Sequence, residues 1–99
     1  MKNFNKLTAG EDERLSLLAE ECAEVIQIIQ KIQRHGYESY HPADANKTSN
    51  RNLLEKEIGH IMAAALIMRR AADISSSEIK YYEDFKLKNI NQYLHHNKV

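Results

Sequence analysis

Two acidic pairs hold the chemistry this chain could do. Glu21-x-x-Glu24 and Glu57-x-x-His60 each sit inside a long stretch rich in apolar residues. An i,i+3 spacing places both members of a pair on one face of a helix. Three carboxylates and an imidazole are the donors of a divalent-cation site. Crowded carboxylates repel one another and raise each other's pKa, and a cation among them removes the conflict. The oxygen-rich set suits Mg²⁺ or Mn²⁺, and the imidazole of His60 tilts the choice toward Mn²⁺ or another transition metal.

Projection at about 100° per residue shows which acids are anomalous. Leu15, Leu18, Cys22, Val25, Ile26, Ile29 and Ile32 form one broad arc. Glu20 lies opposite it and reads as solvated, or as supporting the ligands from behind. Glu21 projects among Leu17, Val25, Ile28 and Ile32, and Glu24 lies at the edge, between Leu17 and Lys31. Further on, Leu53, Leu54, Ile61, Ala64, Ala65 and Met68 define a second apolar face. Glu57 sits near its middle, and His60 is on the flank near Leu53 and Ile67. One glutamate on an apolar face is more often salt-bridged, or reaches past the rim, than it is a ligand. The same anomaly on two helices at the same spacing makes coincidence a poor account. Facing helices would bring Glu21, Glu24, Glu57 and His60 around one point.

The elements that must position these residues are marked by caps. Thr8-Ala9-Gly10-Glu11 has the form of a capping box, and a helix is expected from about Gly10 to Arg34, stopped by His35-Gly36. A polar connection, Tyr37 to Asn50, contains His41-Pro42 and is longer than most helix–helix connections, as functional loops often are. Asn52-Leu53-Leu54-Glu55 resembles a second capping signal, with a helix to about Ala72. Ser75-Ser76-Ser77-Glu78 is a third, with a helix to about Leu94 and a frayed polar tail, His95 to Val99. Ile79, Tyr82, Ile90, Tyr93 and Leu94 share a face of that last helix, to which a structural role is assigned. Three glycines, one proline and two valines leave little to build strands from. The expected fold is all-α, one domain over residues 1–99. The first helix is apolar over more than half its circumference, more than one hairpin can cover. Three-helix protomers are therefore expected to assemble as helical bundles, in a homodimer or homotetramer.

Lys+Arg and Asp+Glu both number 14, so net charge gives no drive toward nucleic acid or a membrane surface. The single cysteine, Cys22, excludes an intramolecular disulfide and fits a reducing compartment. The first dozen residues lack a signal-peptide pattern, and the longest apolar run, Ile61 to Met68, is too short to span a bilayer. A cytoplasmic location is expected, with neither nucleic acid nor membrane as partner.

Leu18-Ala19-Glu20-Glu21-Cys22-Ala23-Glu24-Val25, followed by Leu54-Glu55-Lys56-Glu57-Ile58-Gly59-His60-Ile61, resembles the signature of MazG-like nucleoside triphosphate pyrophosphohydrolases. That superfamily is all-α, with Glu-Glu-x-x-Glu on one helix and Glu-x-x-Asp on the next. The segment from Arg34 to Pro42 also resembles loops of small MazG-like proteins, and the likeness spans residues 8–72. It implies metal-dependent cleavage between the α and β phosphates of a nucleoside triphosphate, giving a monophosphate and pyrophosphate. Glu21, Glu24 and Glu57 would be ligands, with His60 in the fourth place. Glu20 matches the first motif glutamate and would bind metal or orient water, so the implied catalytic set is Glu20, Glu21 and Glu24. Lys31, Arg34, Arg51 and Arg69 are candidate phosphate contacts. Tyr37, Tyr40 and Asn52 are candidates for base or sugar.

The sequence departs from the family at His60, which stands where an aspartate is usual. A neutral nitrogen in place of a charged oxygen weakens a hard Mg²⁺ site. The expected consequence is a shift toward Mn²⁺, Co²⁺ or Ni²⁺, a weakened enzyme, or a site that binds nucleotide without turnover. Two other readings compete. Glu-x-x-His with glutamates on another helix is also the pattern of di-iron and di-manganese carboxylate bundles, which need a second such motif from a symmetric partner. The chain could also be a helical interaction module without activity.

Overall fold

The computed structural model describes residues 4–99. Regular structure among them is entirely helical, with no strand: α1 (Ala9–His35), α2 (Asn50–Arg70), α3 (Ser76–Asn89) and a 3-10 turn (Ile90–Tyr93).

Each boundary has a local cause. Thr8 Oγ1 accepts the Glu11 N–H at 3.1 Å, while Glu11 Oε1 accepts the Thr8 N–H at 2.8 Å, closing the expected capping box on α1. The helix stops at Gly36, whose φ of 90° and ψ of 166° suit a residue without Cβ. Its N–H donates to the Ile32 carbonyl at 2.7 Å. The start of α2 differs from expectation, because Ser49 and not Asn52 provides the cap. Ser49 Oγ accepts the Asn52 N–H at 3.1 Å, and its carbonyl accepts the Leu53 N–H at 3.0 Å. The N–H groups of Asn50 and Arg51 are taken by the carbonyls of Ser39 and Tyr37, both at 2.8 Å. The long loop thus closes the helix it precedes, which sequence spacing does not reveal. At the far end of α2, Asp73 N–H donates to the Met68 carbonyl at 2.9 Å and Ala72 N–H to that of Arg69 at 3.0 Å. Ala72 has φ 62°, so this is a Schellman ending with alanine where glycine is usual.

The chain divides into two compact units, one through Ile67 and one from Met68 onward, the boundary falling inside α2. In the first unit, α1 and α2 run antiparallel as a hairpin around the 36–49 loop. Its inner face carries Leu17, Leu18, Val25, Ile28 and Ile32 from α1, with Leu53, Leu54, Ile61 and Ala64 from α2. Glu21, Glu24 and Glu57 lie on that same inner face. The broad arc projected for α1 is therefore split. Leu18, Val25 and Ile32 turn partly inward, whereas Leu15, Cys22, Ile26 and Ile29 are exposed. One partner helix covers only a stripe of α1, and packing selects the stripe that bears the acids.

In the second unit every residue of α3 is exposed, and Ile90 and Leu94 beyond it are half-buried. The Tyr81 ring meets Tyr82 edge-on at 5.2 Å and stacks with Phe85 at 6.4 Å. The α-helix gives way to the 3-10 turn at Ile90, short of the expected end near Leu94. In the tail, Asn91 Nδ2 donates to the Val99 carbonyl and the Val99 N–H to Asn91 Oδ1, both at 2.7 Å. No described helix is long and apolar enough to cross a membrane.

Candidate metal centre

The antiparallel hairpin sets residue 21 opposite 60 and residue 24 opposite 57. His60 Nδ1 lies 3.2 Å from Glu21 Oε2 and 3.4 Å from Glu57 Oε2. Glu21, Glu24, Glu57 and His60 each place one donor atom within 4.8 Å of all the others. The structure thus brings together the four residues that the spacing singled out. The group is graded in depth. Glu57 is 7% exposed, Glu21 and Glu24 are half-buried, and His60 stands at the rim, open to solvent.

Glu57 Oε2 is buried and has no hydrogen-bond partner. Nearby His60 Nδ1 bonds instead to Glu21, and one ring nitrogen carries one proton or one lone pair. Its nearest charged neighbour is His60 Nδ1 at 3.4 Å, and a buried carboxylate oxygen that no hydrogen bond satisfies is costly to desolvate. Electrostatics tell the same story at Glu24. Its carboxyl is pushed above the usual 4.5, first by a hydrogen bond with Glu57, then by that group's negative charge and by burial, with His60 and Lys56 pulling back. The cluster is therefore short of positive charge.

These residues fit a divalent cation. Three carboxylates and one imidazole make a donor set for Mg²⁺ or Mn²⁺, and the orphaned oxygen of Glu57 lacks the partner that a cation provides. Adjacent donors around such an ion stand about 3 Å apart at bond lengths of ~2.1 Å.

The remaining sequence-derived candidates divide. Glu20 is exposed and stands outside the four-residue group. Lys31 and Arg34 line a cavity of about 300 Å³ with His35, Tyr40, His41 and Asn50. Arg51 is committed elsewhere: its Nε donates to Glu38 Oε1 at 2.7 Å, and its guanidinium lies 4.4 Å over the Tyr37 ring. Tyr37 is thereby engaged too. Asn52 is exposed and contributes its backbone to the α2 cap. Arg69 belongs to the second unit. Asn50, inconspicuous in the sequence, is 5% exposed, and its Nδ2 donates to the Gly36 carbonyl at 3.2 Å. Its only signal is its place in the cap-forming run Thr48-Ser49-Asn50. His35 and His41, also cavity-lining, read as a helix stop and a turn residue. No family model matches the chain, and neither a curated protein nor a solved structure matches it significantly.

Proposed function

We propose that the protein is a metal-dependent nucleoside triphosphate pyrophosphohydrolase that cleaves between the α and β phosphates. The observation carrying this reading is the convergence of Glu21, Glu24, Glu57 and His60 around the unpartnered Glu57 Oε2. The paired motifs, Glu20-Glu21-x-x-Glu24 and Glu57-x-x-His60, support the reaction class by their resemblance to MazG-like enzymes.

In this reading the four side chains hold Mg²⁺ or Mn²⁺. Such an ion supplies positive charge at phosphate oxygens and makes water more acidic. Glu57 anchors the site from its buried side, and His60 closes it at the rim. Glu20, one turn before Glu24 and exposed beside the group, would orient water and take its proton. Water adds to the α phosphorus, the bridge to the β phosphate breaks, and pyrophosphate leaves with the bonding pair. Lys31 and Arg34 offset phosphate charge. The protein works in the cytoplasm as a homodimer or homotetramer.

The test is a panel of NTPs and dNTPs against Mg²⁺, Mn²⁺ and Co²⁺, followed by pyrophosphate release. Release of pyrophosphate is expected, strongest with Mn²⁺. Glu21→Gln and Glu57→Gln should each lower it by about 100-fold, as loss of a ligand or its support does. Full activity in both variants refutes the assignment. Bound iron with near-ultraviolet absorbance and no hydrolysis would instead favour a dinuclear carboxylate site.

A further inference from the structure

The cavity at the loop end of the hairpin lies in register with the acidic cluster. On α1, Lys31 is seven residues from Glu24, two turns or about 10 Å along the axis. On α2, Leu53 and Asn50, both lining the cavity, are one and two turns from Glu57. Ile28, buried between Glu24 and Lys31, floors the same inner face. A ligand lying along the hairpin reaches both places.

The cavity's charge is one-sided. Lys31 and Arg34 line it, with His35 and His41, and no carboxylate does. Among the described residues, neither Lys31 nor Arg34 has a carboxylate partner. The acids of the adjoining loop are held elsewhere. Glu38 pairs with Arg51 at 2.7 Å, and Asp44 accepts the N–H groups of Asn46 and Thr48, both at 2.9 Å. Two lining groups that could read a neutral base are engaged as well. Asn50 donates its backbone N–H to Ser39 and its Nδ2 to Gly36. Lys47 Nζ lies 6.0 Å from the centroid of the Tyr40 ring, on one of its faces. Two unpaired cations in a recess gain most from an anion.

We infer that this cavity seats the terminal phosphates of the substrate, with Lys31 and Arg34 as the residues that distinguish a triphosphate from a monophosphate. The orientation rests on the pyrophosphohydrolase reading: with the α phosphate at the acidic cluster, the β and γ phosphates extend toward Lys31 and the base points away. A monophosphate leaves the cavity empty, and the pyrophosphate product remains in it until it dissociates.

The test is calorimetric titration of the metal-free full-length protein with pyrophosphate and, separately, with a nucleoside. Pyrophosphate should bind wild type, more weakly as salt rises. Binding should weaken about tenfold or more in Lys31→Gln/Arg34→Gln, whose exposed positions leave folding intact by circular dichroism. Glu57→Gln should bind pyrophosphate at least as well as wild type. The inference is overturned if pyrophosphate fails to bind wild type or binds the double variant equally. It is also overturned if the nucleoside is the ligand lost in that variant. Absence of nucleotide hydrolysis alongside intact, Lys31- and Arg34-dependent pyrophosphate binding sinks the proposed reaction and leaves the anion site standing.

Discussion

His60 sits at the rim of a group whose other three members are carboxylates, 3.2 Å from Glu21 and 3.4 Å from Glu57. In the proposed enzyme it sets which cation is preferred. Replacing it by aspartate adds a charged oxygen donor and a fourth negative charge to a cluster already short of positive charge. His60→Asp should therefore melt lower than wild type without metal and gain more from Mg²⁺. Its Mg²⁺-supported pyrophosphate release should rise several-fold, by the preference of Mg²⁺ for oxygen donors. Melting curves with and without Mg²⁺, read beside the rate, check this. No gain under Mg²⁺ means that His60 does not limit the site. At this scale much was legible, because i,i+3 spacing reports a shared helix face whatever the tertiary structure. What spacing could not report is partnership. Arg51 and Lys31 look alike as isolated cations in the sequence, yet only folding gives one of them Glu38 and Tyr37.

Between the helices, the 36–49 loop ties the hairpin together and forms part of the cavity wall. Its hinge pin is Asp44, whose carboxylate accepts the N–H groups of Thr48 and Asn46. Those bonds, with Thr48 first, hold its carboxyl below the ordinary 3.8. The folded state then binds fewer protons there than the unfolded chain, so the stabilisation is complete above 3.8 and is lost as pH falls through the lowered folded value. Asp44→Asn should melt below wild type at neutral pH, and the two should converge as the solution is acidified past that range. A constant gap down to strongly acidic pH would show that the charge on Asp44 is not the cause. None of this was readable from composition. Spacing placed the helices to within a few residues, but the cap moved from Asn52 to Ser49 because loop carbonyls at Ser39 and Tyr37 complete the first turn of α2. Such long-range backbone pairing leaves no periodic trace in the sequence.

At the scale of the whole molecule, an exposed apolar surface of the first unit is the outer face of α1. Leu15, Cys22, Ile26 and Ile29 form an exposed stripe there, beside Leu18, Val25 and Ile32, which turn toward α2. Leu15 is 43%, Ile26 57% and Ile29 40% exposed, and on α2 Ile58 and Met62 are 45% and 67% exposed. Each such side chain contributes about 1.5–3 kcal/mol when fully buried, so leaving five of them in water forgoes more than a small domain can easily spare. In the proposed homo-oligomer this stripe would form a seam, paired with its copy across a two-fold axis beside α1. Light scattering at micromolar concentration should give at least twice the 11.5 kDa chain mass. Ile26→Lys/Ile29→Lys should halve the measured mass while keeping the helical circular dichroism signal, because neither side chain lies on the face that carries the acidic cluster. A wild-type mass of one chain would leave the seam without a function and remove the homo-oligomer from the proposal.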